Sequence, residues 1–247
     1  MLNIIISGIN GKMGNFVYDS AIKHGHAVVC GVDEITLGRT ECPVYKSFDE
    51  VKHFADAIID FSSPTSLNGL LKYAKANKIP LVIGTTDYNQ NQEKEILTAS
   101  ECIPIFKSAN TSLGVNLILK LCSLATKWLN GFDIEIVDKH HKYKKDSPSG
   151  TANLILNAIK KQLEYTPSPV YGRNGKTPRQ TNEIGVHSVR GGTVVGEHSV
   201  FFFGENESVT ITHTAYSKEL FADGAIKATE FIANKKSGLY DMNDIVK

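Results

Sequence analysis

Long hydrophobic runs are missing from this chain of 247 residues; near its start the longest is Ile4-Ile5-Ile6. A membrane-spanning helix needs ~18 or more apolar residues, so no span is expected. No basic region followed by an apolar stretch opens the sequence, so no export signal is expected either. Cysteine is sparse. Cys30, Cys42, Cys102 and Cys122 lie 12, 60 and 20 residues apart with no CxxC pair, which excludes a disulfide framework and points to reduced thiols in the cytoplasm. Asn110-Thr111-Ser112 and Asn206-Glu207-Ser208 match the glycosylation pattern but carry no meaning without export. Charge of either sign is not in excess: 27 Lys+Arg against 26 Asp+Glu leaves a formal net charge of +1. A protein that coats nucleic acid or an anionic membrane needs a positive surplus, so neither partner is expected. Apolar residues at 41% and charged residues at 21% suffice to bury a core and exclude disorder as the main state. The length allows one large or two small domains.

The first third alternates strand-like apolar runs with helical stretches. Strands are expected at Leu2–Ser7, Ala27–Asp33, Ala57–Phe61, Leu81–Ile83 and Ile103–Phe106, with helices at Asn15–His24, Leu67–Ala76 and Gln92–Ser100. This order implies βαβ units and a parallel sheet covered on both faces, a Rossmann-like doubly wound α/β fold. From Gly114 the texture changes. Val115–Leu129 reads as a long amphipathic helix with Leu117, Leu121, Leu124 and Trp128 on one stripe at spacings of 4, 3 and 4. Strand Phe132–Asp138, helix Thr151–Leu163 and a Pro- and Gly-bearing loop at Tyr165–Thr181 follow. Glu183–Arg190, Thr193–Phe203 and Ser208–Ala215 then form three strands with no helix between them. A C-terminal α+β domain with an open mixed sheet is the expectation. A last helix, Lys218–Asn234, is placed to pack back on the first domain.

Strand Leu2–Ser7 runs through Gly8-Ile9-Asn10-Gly11-Lys12-Met13-Gly14 into a helix. Glycines here let the chain turn sharply, let backbone N–H groups approach a pyrophosphate, and let helix and strand pack closely. The phosphate then rests on the positive end of the helix. GxxGxxG is a variant of the usual GxGxxG spacing; its place between a first strand and a helix favours dinucleotide binding over a plain turn cluster. Asp33, 19 residues after Gly14, ends the second strand, where a carboxylate accepts from a ribose hydroxyl. Asp33-Glu34 repels a 2′-phosphate and favours NADH, while Lys12 offsets this and leaves NADPH possible. Asp60 to Pro64 and Gly84-Thr85-Thr86 each follow a strand and look like further walls of the same cleft, although either alone is an ordinary turn.

Asp138 to Ala152 is the densest polar segment. Ser149-Gly150-Thr151 starts a helix and offers hydroxyls and N–H groups to an anion such as a carboxylate. His140 exchanges a proton near neutral pH, and Lys144 is a cation able to bind a carboxylate or donate a proton. Three blander readings compete: a metal pair at His140-His141, a nucleic-acid patch, and a solvated basic loop. Adjacent strand residues point to opposite faces and no carboxylate or thiol completes a set, so no metal is expected. Tyr143 is the only aromatic interleaved with the basic residues, which speaks against nucleic acid.

His140 to Ala152 fits HHxxKxDxPSGTA and resembles the signature of the 4-hydroxy-tetrahydrodipicolinate (dihydrodipicolinate) reductases. GxxGxMG from Gly8, Gly84–Thr86, Ser108-Ala109-Asn110 before Gly114-Val115-Asn116, and Arg190 to His198 match in the same order, so the resemblance covers nearly the whole chain. It implies an NAD(P)H-dependent reductase of the diaminopimelate–lysine pathway, usually a homotetramer built through C-terminal-domain sheets, acting on a small dicarboxylate. His140 would be the proton donor/acceptor and Lys144 the proton donor, with His141, Ser149, Gly150 and Thr151 holding substrate carboxylates. Gly8, Ile9, Asn10, Gly11, Lys12, Met13, Asp33, Gly84, Thr85, Thr86, Ser108, Ala109, Asn110 and Thr111 would line the cofactor. Two departures stand out: Lys218 replaces the family's usual Arg, and Glu34 stands where many members carry one, again leaning toward NADH. The expected division is 1–111 with 217–247 for the dinucleotide and 112–216 for substrate and oligomerisation, with hinges near Ser108–Ser112 and Tyr216–Lys218 and domain closure over the reactants. A sensor that keeps the fold without turnover, and a dehydrogenase for another small acid, remain as alternatives.

Overall fold

The computed structural model describes residues 1–37 and 41–245. Two compact units emerge, Met1–Leu113 with Glu219–Lys247, and Gly114–Lys218.

In the first unit, strands β1 (Asn3–Ser7), β2 (Ala27–Val32), β3 (Val44–Tyr45), β4 (Ala57–Asp60), β5 (Leu81–Ile83), β6 (Pro104–Lys107) and β12 (Gly238–Tyr240) form one sheet in the order β12-β6-β5-β4-β1-β2-β3. Every neighbouring pair is parallel. Strands buried on both faces need apolar residues at successive positions, and Ile4, Ile5 and Ile6 are all fully buried. Alternation then splits them: Ile5, Ile58 and Leu81 pack toward helices α2 (Leu67–Asn77) and α3 (Gln90–Ser100). Ile4, Ile6 and Ile59 pack toward α1 (Lys12–Lys23) and α6 (Glu219–Ile232). The last long helix therefore does return to the first sheet, presenting Ala222, Ala225 and Ile226. Strands β3 and β12 are additions that the sequence reading did not contain. Both are only two or three residues long and owe their existence to pairing with β2 and β6.

The second unit carries β7 (Asp133–His140), β8 (Ser168–Tyr171), β9 (Glu183–Arg190), β10 (Gly196–Phe203) and β11 (Ser208–Ala215), ordered β11-β10-β7-β9-β8. The β10 pairings are antiparallel and the β9 pairings parallel, so the sheet is mixed as expected. Helices α4 (Leu113–Trp128) and α5 (Gly150–Lys160) supply Ile118, Cys122, Ile155 and Ile159 to its core.

Two expectations for this unit are corrected. The α4 stripe of Leu117, Leu121, Leu124 and Trp128 is 41–81% exposed, and the buried face is Val115, Ile118, Cys122 and Thr126. The helix is apolar nearly all round, so leucine spacing alone selected the wrong face. The Tyr165–Thr181 segment is not all loop, since it contributes β8, an edge strand parallel to β9. Its Arg173 bonds Glu183, and Arg179 bonds Glu135 and reaches Asp133 at 2.9 Å. Those guanidiniums are neutralised within the protein.

Candidate active site

In an open parallel sheet, ligands sit beyond the carboxyl ends of the strands where the order reverses. Here that point lies between β2 and β4, on either side of β1. A cleft of about 630 Å³ opens there, lined by Gly8, Asn10, Gly11, Asp33, Phe61 and Ser63 among others. Gly8 adopts φ +77°, and a Cβ there would lie 2.5 Å from the Phe61 carbonyl oxygen. A Cβ on Gly14 would lie 2.0 Å from the Gly8 carbonyl oxygen, so only glycine lets α1 start against this turn. No side chain caps α1 at Gly11, which leaves the first helical N–H groups to an anion. These features fit a dinucleotide.

Asp33 does more than the sequence assigned to it. Its Oδ2 accepts from the Asn10 backbone N–H at 3.0 Å and its Oδ1 from that of Ile35 at 3.1 Å. The carboxylate thus ties the glycine loop to the end of β2 while still lining the cleft. Glu34 and Lys46 share that rim, setting a carboxylate and an ammonium beside the same pocket.

The other sequence-selected residues of this unit divide by what their side chains touch. Ile9 is fully buried, so it can meet a nucleotide only through its backbone, while Met13 is half-buried and packs on the same core. Lys12 is exposed at the start of α1. Thr85 Oγ1 donates to Asp60 Oδ2 at 2.6 Å and accepts from the Ser62 N–H at 2.9 Å. Asp60 is fully buried and also accepts from Ser62 Oγ at 2.5 Å. Burial pushes its carboxyl up, against the pull of the surrounding hydroxyl donors. Gly84 makes room for the Phe61 ring, whose Cε1 would lie 2.3 Å from a Cβ there. Thr86 and Ala109 are exposed. Ser108 Oγ bonds the Asn110 carbonyl at 2.8 Å, and Thr111 Oγ1 bonds the Phe221 carbonyl at 2.6 Å, fastening this segment to α6.

In the second unit His140 ends β7 and is 8% exposed. Burial and then the Lys144 charge push its pKa below the ordinary value, so the ring is neutral at neutral pH. Its Nδ1 lies 3.6 Å from Asp138 Oδ1, beyond hydrogen-bond reach, and has no other polar partner. On the other side, a Cβ at Gly196 would come within 3.2 Å of Nε2. Lys144 is half-buried and pairs with Asp146 Oδ1 at 2.8 Å. That pairing holds the Asp146 carboxyl below the usual range. His141 is half-buried beside Tyr143, with ring centroids 6.4 Å apart. Ser149 caps α5: its Oγ accepts from the Ala152 N–H at 3.1 Å. Gly150 and Thr151 begin that helix, with Gly150 exposed.

Three residues to which the sequence reading gave no site role complete this cluster. Asp138 is fully buried and accepts from the Ser149 backbone N–H at 2.7 Å and from Arg190. Arg190 also donates to the Asp146 carbonyl at 2.9 Å. His198 stacks edge-on against His140 with centroids 5.1 Å apart and bonds Ser149 Oγ. The signal for them lay in strand register, since Asp138 faces His198 across β7–β10 and His140 faces Arg190 across β7–β9.

Two family models match the chain, "Dihydrodipicolinate reductase, N-terminus" over residues 2–111 and "Dihydrodipicolinate reductase, C-terminus" over residues 114–246. The chain is 50% identical to the 4-hydroxy-tetrahydrodipicolinate reductase of Caldanaerobacter subterraneus subsp. tengcongensis, over 100% of this chain and 99% of that one. Among solved structures it superposes on a dipicolinate-bound dihydrodipicolinate reductase from Paenisporosarcina sp. TG-14 with a TM-score of 0.83. That match has 23% identity and covers 98% of this chain and 99% of the other. It also shares a fold with GenD2 from gentamicin A biosynthesis, solved with NAD (TM-score 0.58, 10% identity, 94% and 85% covered).

Proposed function

The chain belongs to the dihydrodipicolinate reductase family, and on that premise we propose that it reduces 4-hydroxy-tetrahydrodipicolinate to tetrahydrodipicolinate in the diaminopimelate route to lysine. A reduced pyridine nucleotide is consumed with one proton, and the substrate hydroxyl leaves as water. The observation that carries this reading is the placing of His140 and the first turn of α5 beside the buried Asp138 carboxylate, with the Lys144 charge acting on the His140 ring, in a chain half identical to a reductase of that name from end to end.

The turn at Gly8 and Gly11 and the start of α1 would hold the pyrophosphate, and Asp33 the adenosine ribose. When bound, the nicotinamide supplies the hydride. The substrate brings two carboxylates. The N–H groups that open α5 at Gly150 and Thr151 suit one of them, and the Lys144 ammonium suits the other. The Paenisporosarcina protein binds dipicolinate, a pyridine with the same two groups, which supports a dicarboxylate here. Neutral His140 beside charged Lys144 gives one group able to accept a proton and one able to give it. Lys144 would protonate the departing hydroxyl, and His140 would take and return the proton that the reduced ring needs.

For the coenzyme, Asp33 and Glu34 at the cleft rim favour NADH, and Lys46 at the same rim leaves room for NADPH. The exposed apolar residues of α4, with Val189, Val209 and Phe203 on the second sheet, support assembly as a homotetramer through this unit. Among the described residues no helix is long and apolar enough to cross a membrane. The proposed pathway places the protein in the cytoplasm. The test is loss of reduced-nicotinamide absorbance with freshly made 4-hydroxy-tetrahydrodipicolinate. Turnover with NADH and a lower rate with NADPH are expected. No consumption of either coenzyme between roughly pH 6 and 9 overturns the reading.

A further inference from the structure

Asp138 has no part in the chemistry above, yet the segment that carries the chemistry is tied to it. Its side chain is fully buried, and removing a carboxylate from water costs several kcal/mol unless charge and hydrogen bonds compensate. The compensation comes from Arg190 on Oδ1 and, on Oδ2, from the Ser149 backbone N–H at 2.7 Å and Ser188 Oγ at 3.3 Å. Arg190 passes the constraint on by donating to the Asp146 carbonyl at 2.9 Å, and Asp146 in turn holds the Lys144 ammonium at 2.8 Å. The Asp138 Oδ1 also lies 3.6 Å from His140 Nδ1, a buried ring nitrogen with no hydrogen-bond partner. A negative oxygen on that side favours a proton on Nδ1 and leaves the Nε2 lone pair pointing toward Gly196. Gly191 N–H donates to the His140 carbonyl at 2.9 Å, so the strand end itself is also fixed.

We propose that Asp138, clamped by Arg190, is the positioning residue of this site. It selects the Nδ1–H tautomer of His140 and holds the Lys144 segment and the first turn of α5 in one working arrangement. This rests on the reductase reading, but its structural half can be tested without turnover. Asp138 is buried among donors, so the amide in Asp138→Asn turns an N–H toward either Arg190 or Ser149 and breaks one of the two ties.

The experiment compares wild type, Asp138→Asn, Asp138→Glu and Arg190→Lys. Misplacement of reacting groups by about 1 Å costs on the order of 100-fold. Asp138→Asn is therefore expected to lower kcat about 10- to 100-fold and raise the substrate KM, with NADH affinity unchanged. The inflection of the pH–rate profile that follows His140 is expected to move to lower pH, because a negative charge has been removed beside the ring. Asp138→Glu, which keeps the charge, is expected to recover part of kcat and return the inflection. Hydrogen exchange at the Ser149 amide is expected to quicken at least tenfold in Asp138→Asn. A role in folding alone would lower stability and leave the profile of the folded fraction where it was. Unchanged Ser149 protection, or an unmoved profile with kcat and KM per folded molecule within twofold of wild type, overturns the proposal. If Asp138→Asn does not fold, Arg190→Lys, which keeps the charge and loses the fork that joins Asp138 to the Asp146 carbonyl, decides by turnover: kcat is expected to fall about 10-fold or more with NADH affinity unchanged, and kcat and KM within twofold of wild type overturn the proposal. An inert wild type would sink the reductase reading, and the Ser149 exchange would still judge the tie.

Discussion

Ser149 Oγ lies 2.9 Å from His198 Nε2, so the residue that caps α5 is also bonded to β10. The same oxygen accepts from the Ala152 N–H at 3.1 Å and keeps both a proton and a second lone pair for the ring nitrogen. Burial of the ring favours the neutral imidazole, which can meet the hydroxyl as donor or as acceptor. The electrostatics agree. Burial, followed by the neighbouring His140, pushes the His198 pKa down to about 4.

That depression makes the second unit sensitive to acid in a defined window. An unfolded histidine takes its proton near pH 6.5 and the folded one only near 4, so the unfolded state binds the proton first as pH falls. The contribution is fully present above about 6.5 and is lost on the way down to 4, about 3 kcal/mol in all. His198→Gln can still accept from Ser149 and does not titrate. Its stability at pH 7 is expected to fall by about 1 kcal/mol, and its decline between pH 6.5 and 4 to be clearly shallower. Urea midpoints followed by circular dichroism across this range decide the matter, and parallel slopes for the two proteins would reject the buried neutral ring.

Gly14 offers a test of the nucleotide cradle that does not involve charge. A methyl group there would meet the backbone oxygens of Gly8 and Ile9 at 2.0 and 2.6 Å, and neither can swing aside as a side chain would. Gly14→Ala is expected to cost about 1–3 kcal/mol and to weaken NADH binding at least tenfold by opening the turn. Calorimetric titration with NADH together with a thermal melt measures both; unaltered affinity would mean that the turn does not touch the coenzyme.

The sequence made the first unit legible because strands buried on both faces must be apolar throughout, as Ile4 to Ile6 are, and because Gly8, Gly11 and Gly14 mark a strand-to-helix turn. His140, Lys144 and Ser149 were legible because they share one short segment. The residues that organise them were not. Asp138 and Arg190 are far apart in the chain and meet only through the parallel register of β7 and β9, and His198 arrives from β10. The buried face of α4 was misread for a related reason. A helix apolar on two sides carries two stripes, and only the tertiary fold decides that Ile118 and Cys122 go inside while Leu121 and Leu124 stay out. Strand β12 is three residues long and acquires its identity from β6.

Asp33 is predicted to have two separable effects. Asp33→Ala removes both the ribose acceptor and the anchor for the Asn10 and Ile35 N–H groups. NADH affinity is expected to fall by roughly tenfold or more, the size of one charge-assisted hydrogen bond. NADPH should lose less, because a repulsive charge near its 2′-phosphate is gone. The measurement is the ratio of the two dissociation constants in wild type and variant. A fall in both by the same factor would show that Asp33 acts through the loop alone.

Lys144 gives the sharpest test of how the roles are divided. Its charge is the second cause, after burial, of the low His140 pKa, and its ammonium is the proposed proton donor to the leaving hydroxyl. Lys144→Ala should therefore do two things at once. Turnover should fall by about 100-fold or more while NADH binding holds, since no part of the cleft beside β1 includes this residue. The His140 ring, followed by its NMR titration, should at the same time take up its proton at a higher pH than in wild type, because a repelling cation has been removed. Asp138 and Arg190 stay in place and supply the remaining charges on the ring, one of each sign. A variant with slow turnover and an unmoved His140 titration would show that Lys144 works at a distance from the imidazole, which would break the donor–acceptor pairing. NADH affinity lost while turnover per bound coenzyme persisted would move Lys144 out of the chemistry and into coenzyme binding.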